Sequence, residues 1–75
     1  MPQRTDNDQP VQLTVNGRPM TVQSRTLTAL LRLLDVKDFA VVAEVNGHIV
    51  PRENFACLLL NEGDKVELVR FVGGG

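Results

Sequence analysis

Asn16-Gly17 separates two short runs of alternating apolar residues, and this feature constrains the fold more than any other in the chain. Val11, Leu13 and Val15 recur at every second position before it, which puts all three on one face of a strand. The Asn-Gly pair accepts the positive φ angles of a two-residue hairpin turn, and Met20 and Val22 carry the alternation back on a return strand. Pro19 would cost a central strand a ladder bond, so the return strand is expected at a sheet edge. A chain that starts this way builds a sheet, and the apolar face of that sheet needs a cover.

The next segment supplies one. Leu27, Leu30, Leu31 and Leu34 are spaced i, i+3, i+4 and i+7, one face of a helix, with Thr28 and Arg32 on the other side and Thr26 as the N-cap. A helix this short does not hold by itself in water and must lie on the sheet. Ala40 to Val45 is apolar and β-branched, with Glu44 on the wet side and Val41, Ala43 and Val45 on the core side. A second turn, Asn46-Gly47, leads into His48-Ile49-Val50, and Pro51 stops that run. Between Arg52 and Leu60 the pattern is ambiguous, and Phe55 and Leu58 are the expected anchors. Asn61-Glu62-Gly63-Asp64 is a turn, after which Lys65 to Val69 opens a last strand with Val66 and Leu68 inward. The order reads ββαββ, an α+β layer with one sheet face under the helix and the other open. Glu67, Val69 and Phe71 on the last strand and Val42 and Glu44 on the third are expected on that open face, and Phe71 could alternatively tuck under the helix edge.

Seventy-five residues, 43% of them hydrophobic, make one domain with one small core. Residues 1–10 are expected to be a disordered leader, because Met1 is the lone apolar residue among Gln3, Arg4, Thr5, Asp6, Asn7, Asp8 and Gln9. Residues 11–72 form the domain and 73–75 a flexible glycine tail. A net charge of −1 provides no basic field for nucleic acid or anionic lipid. No apolar run approaches a membrane span, no signal peptide precedes the domain, and the chain reads as cytoplasmic.

Signatures of an enzyme are missing: the sequence holds no GxGxxG, Walker A, CxxC, HExxH or GxSxG motif. One cysteine and one histidine make neither a disulfide nor a metal cluster, so no metal is expected. Cys57, beside Leu58, Leu59 and Leu60, reads as a small buried hydrophobe, and His48 as a solvated strand residue. The remaining feature is Gly73-Gly74-Gly75. Terminal glycines have a plain explanation as a frayed or appended end. Their chemical reading is an acyl donor: a carboxylate on Gly75 is ionised at neutral pH and resists nucleophiles until it is activated, for example as an adenylate. Gly73 and Gly74, lacking β-carbons, would let it thread a narrow enzyme channel.

The ββαββ order, the run Glu44-Val45-Asn46-Gly47-His48-Ile49-Val50-Pro51-Arg52, the turn segment Glu62 to Leu68 and the final Gly74-Gly75 together resemble the ThiS family, the sulfur carriers of thiamine biosynthesis. The resemblance spans residues 11–75 and implies a β-grasp, ubiquitin-like fold. It also implies a protein co-substrate rather than an enzyme. A ThiF-type adenylyltransferase would use ATP to activate Gly75, a sulfur-relay protein would convert it to a thiocarboxylate from a sulfur donor, and a ThiG-type thiazole synthase would take the sulfur. The carrier itself is expected to bind no cofactor. Glu67, Val69, Phe71 and Val42 are the expected partner-binding residues. The small subunit of molybdopterin synthase resembles the same fold and ending, although the Ile49-Val50-Pro51-Arg52 run argues against it. A noncovalent ubiquitin-like interaction module is the alternative from another class.

Overall fold

A computed structural model describes residues 9–71. Six elements succeed one another: β1 (Val11–Val15), β2 (Arg18–Val22), α1 (Leu27–Leu33), β3 (Val41–Val45), β4 (His48–Val50) and β5 (Lys65–Arg70), with single 3-10 turns at Asp38–Ala40 and Arg52–Asn54. The sheet runs β2-β1-β5-β3-β4. Its central pair, β1 and β5, is parallel, and the two hairpins flank it with antiparallel pairings. Both arms of the second hairpin join the sheet, so the order is ββαβββ, with one strand more than the expected ββαββ. A parallel central pair between two hairpins, with one helix across a face, is the β-grasp arrangement.

Both Asn-Gly pairs turn as their chemistry requires. Asn16 and Asn46 have φ of 50° and 53°, and Gly17 and Gly47 follow at 83° and 86°, the all-positive pattern that matches strand twist in a two-residue hairpin. Val11 pairs with Val22 and Val15 with Arg18, which puts Pro19 on the outermost strand, where its missing N–H faces no neighbour.

The helix is short because both its ends are fixed. The Thr26 hydroxyl accepts from the Ala29 N–H at 3.1 Å. At the other end the Asp35 N–H donates to the Arg32 carbonyl and the Val36 N–H to the Leu31 carbonyl, with Asp35 left-handed at φ 60°, the backbone pattern that usually closes on glycine. Asp35→Gly is therefore expected to raise stability by up to about 1 kcal/mol, because relief of the left-handed backbone outweighs the added freedom of the unfolded chain. The urea midpoint measures it.

Leu27, Leu30 and Leu31 face the sheet and meet Val11, Leu13, Val15, Val41, Ala43 and Val66, all buried. Leu34, Val45 and Leu68, expected in the core, are half-buried at its margin. Two expectations for residues 52–60 are corrected. Leu58 is exposed and Leu60 is the buried anchor beside Phe55, while Cys57 is exposed instead of buried. The cause is local geometry: from Arg52 the chain makes a helical turn whose inward side is taken by Phe55, and the N–H groups of Cys57 and Leu58 both return to the Asn54 carbonyl. The chain then extends, Leu59 bridges Thr26, and Leu60 turns inward with its N–H on the Arg25 carbonyl. Arg25 is itself buried and clamps this segment, its Nε donating to the Leu60 carbonyl and its Nη2 to Asn61 Oδ1, at 2.8 and 2.9 Å.

Candidate functional site

The helix occupies one sheet face and the strand register decides what the other presents. Because β3 and β5 pair Val42 with Val69 and Glu44 with Glu67, these four side chains share the uncovered face. Ile49, opposite Glu44 on β4, joins them. Val69, Phe71 and Ile49 are more than half exposed, at 58%, 56% and 67%, whereas Val42 and Glu44 are half-buried by their neighbours. Phe71 does not tuck under the helix edge: its backbone N–H donates to the Ala40 carbonyl at 2.9 Å, which carries the β5 alternation one residue past the strand and leaves the ring outward.

The result is an apolar strip of Val42, Val69 and Phe71 beside two carboxylates that face each other across the β3-β5 pair. Like charges directly opposite cost stability in a sheet. Such a face suits a partner with apolar side chains and a base. Ile49 was missed in the sequence because a three-residue strand shows no alternation of its own; only pairing with Glu44 assigns its face.

β5 is held on both sides by the two turn asparagines, a role that their positions alone do not reveal. On one side the Asn46 Oδ1 accepts from the Lys65 N–H at 3.0 Å and its Nδ2 donates to Asp64 Oδ1 at 2.9 Å. On the other side the Asn16 Oδ1 accepts from the Leu68 N–H at 2.7 Å and its Nδ2 donates to the Leu68 carbonyl at 3.3 Å. Each carboxamide stands in for a peptide group where its own strand has already turned away. β5 is thereby held on both sides between Asp64 and Leu68.

Gly73, Gly74 and Gly75, the expected reactive tail, lie outside the described residues. The four residues from Phe71 to Gly75 can span at most about 13 to 14 Å. His48 and Cys57 are both exposed. Among the described residues no group of three or more His, Cys, Asp and Glu side chains is arranged to hold a metal, and no helix is long and apolar enough to cross a membrane.

Comparison with known proteins agrees with this architecture. The crystal structure of the thiamine biosynthesis protein ThiS from Geobacter metallireducens superposes with a TM-score of 0.71 at 40% identity, over 87% of this chain and 100% of that one. The sulfur carrier protein ThiS of Escherichia coli is 30% identical over 87% of this chain and 100% of its own length. A thiazole synthase from Paramagnetospirillum magneticum is 41% identical over 66 residues, and there the chain spans only 20% of the relative's length. The family model of the ThiS family matches residues 9–75, which takes in the whole domain and the glycine tail. The chain belongs to the ThiS family.

Proposed function

We propose that this protein is a sulfur carrier of thiamine biosynthesis whose reacting group is the carboxylate of Gly75. A ThiF-type adenylyltransferase transfers AMP from ATP to that carboxylate and releases pyrophosphate. Sulfur supplied through a sulfur-relay protein at the oxidation level of sulfide then attacks the acyl carbon, the carbon–sulfur bond forms as the acyl–oxygen bond breaks, AMP leaves, and a thiocarboxylate remains for a ThiG-type thiazole synthase to consume. The observation that carries this reading is the family match over residues 9–75, alongside the likeness that spans 100% of the Escherichia coli carrier's length. A segment resembling this chain also forms part of a protein named thiazole synthase, which supports that enzyme as the sulfur acceptor. The fold supplies the handle: the open face of β3 and β5 docks the enzyme that acts on the tail.

The test is intact mass spectrometry after incubation with a ThiF-type adenylyltransferase, ATP and a sulfur source. The expected product gains the mass difference of one oxygen replaced by sulfur. Supplying the adenylating partner of molybdopterin synthase instead is expected to give slower conversion, and the reverse order of rates would reassign the pathway. No conversion by either enzyme would leave a noncovalent binding module as the better reading.

Docking on the open face has its own expected outcome. Phe71→Ala and Val69→Ala should weaken adenylation through affinity, because truncating an apolar anchor at an interface costs about 2 kcal/mol or more, roughly thirty-fold. Titrating the carrier against a fixed amount of adenylating enzyme separates the two cases. A raised half-saturation with an unchanged melting temperature supports docking, and unchanged kinetics with a lowered melting temperature rejects it.

A further inference from the structure

Among the described residues, the sheet leaves one stretch of strand edge without a neighbour, at the C-terminal end of β5. Along β5 the backbone groups alternate sides. Lys65 and Phe71 bond toward β3, through Asn46 N–H to the Lys65 carbonyl and Phe71 N–H to the Ala40 carbonyl. The even residues bond toward β1: the Asp64 carbonyl accepts from Thr14, the Val66 carbonyl from Asn16, and Leu68 meets the Asn16 carboxamide with both its N–H and its C=O. Arg70 is next in that row, and β1 has already turned away at Asn16-Gly17. By this alternation the N–H and C=O of Arg70, which sits opposite Val41 in a pair that exchanges no hydrogen bonds, face away from β3 toward the side that β1 has left.

The outer edges of the sheet are guarded in the usual ways. Pro19 removes a donor from β2, and β4 is three residues long and stops at Pro51. The gap beside Arg70 has neither device. Resting on the carrier reading above, the geometry points to a strand-pairing site: an extended main-chain segment of the adenylating enzyme adds to β5 on its β1 side at Arg70, taking up the ladder where the Asn16 carboxamide ends it. The occupant follows from position. Arg70 adjoins the face that carries Val69 and Phe71 and lies five residues from Gly75, at most about 16 to 18 Å of chain. One partner covers the face, pairs with the edge and holds the tail straight. Main-chain pairing supplies affinity while the side-chain strip supplies selectivity.

Hydrogen exchange of the wild-type chain tests this first. In the free protein the Arg70 amide is expected to exchange at least about tenfold faster than that of Val69, which bonds inward to β3, and to slow by a similar factor when the ThiF-type enzyme and ATP are added. Arg70→Pro deletes the donor on the free side and leaves the β3 pairing intact. It should keep its melting temperature and lose about tenfold in half-saturation for adenylation relative to Arg70→Ala, the control for the lost charge. An Arg70 amide that stays unprotected in the complex, while adenylation proceeds, overturns the edge pairing and leaves the carrier reading standing. Protection of Arg70 in the free protein together with a dimer by sedimentation would show that a second copy fills the edge, and would overturn it also. A wild-type chain that is not adenylated at all rejects the carrier reading, and this inference with it.

Discussion

Deleting Gly75, or adding one residue after it, is expected to abolish thiocarboxylate formation while leaving the melting temperature of the domain unchanged. In the proposed reaction one particular carboxylate is converted, and its activation would require it to reach the phosphate of ATP inside an enzyme channel. A chain shortened by one residue falls short by about 3.3 to 3.6 Å, more than the tolerance of a reacting geometry. A chain lengthened by one presents its carboxylate past the site and fills the channel with a peptide bond. Among the described residues of β5 and Phe71 beyond it, the buried ones end at Val66 and the half-buried margin at Leu68, so the core is complete before the tail begins. Intact mass after incubation with the adenylating enzyme, ATP and sulfur source reads the chemistry, and thermal unfolding reads the fold. An extended chain that gains sulfur at its new end as fast as wild type would remove the positional requirement. Gly74→Val is expected to act in the same direction, since a β-branched side chain widens the thread and restricts its backbone.

Leu30→Ala carries the largest expected effect on stability, about 2 to 5 kcal/mol. Leu30 is 1% exposed, at the centre of the helix stripe between Leu27 and Leu31, which are equally buried. The seven-residue helix has no stability of its own, so the contacts that Leu30 makes with the sheet are what keep it helical. A domain of this size has a margin of only about 5 to 15 kcal/mol, and the loss would be a large part of it. Urea unfolding monitored by far-ultraviolet circular dichroism gives the number. A midpoint equal to wild type would mean that the helix does not lie on the sheet. Leu33→Ala on the same helix is the control: Leu33 is 62% exposed and its truncation should leave the midpoint nearly unchanged.

Much of this architecture is legible in the sequence because it rests on short-range patterns. The alternation Val11-Leu13-Val15, the two Asn-Gly turns, the leucine stripe and the Thr26 cap each depend on neighbours within one turn or one hairpin, so periodicity and turn chemistry suffice to find them. The open face is legible for the same reason, as Glu67, Val69 and Phe71 follow the strand alternation that Val66 and Leu68 begin. Cys57 and Leu58 depart from their expected burial because residues 57–60 close a run of six consecutive apolar residues, Phe55 to Leu60, that has no period. Composition favours burying all four. The helical turn from Arg52, the Thr26–Leu59 bridge and the Arg25 clamp leave room for Leu60 alone.

By itself, then, the sequence determined the elements, the faces they bury, the family likeness and the glycine tail, since all of these are written in local spacing or in residue type. The tertiary structure alone decided which strands become neighbours. β1 meets β5 across 50 residues of chain, so the Asn16 carboxamide reaches Leu68, Asn46 reaches Lys65, and Arg70 is left at an open edge only once the sheet has closed around β5. No window of neighbouring residues contains that information. Hydrogen-bond pairing between distant strands is fixed by register, and register is set by the one packing that puts Leu13, Leu30 and Val66 into a common core.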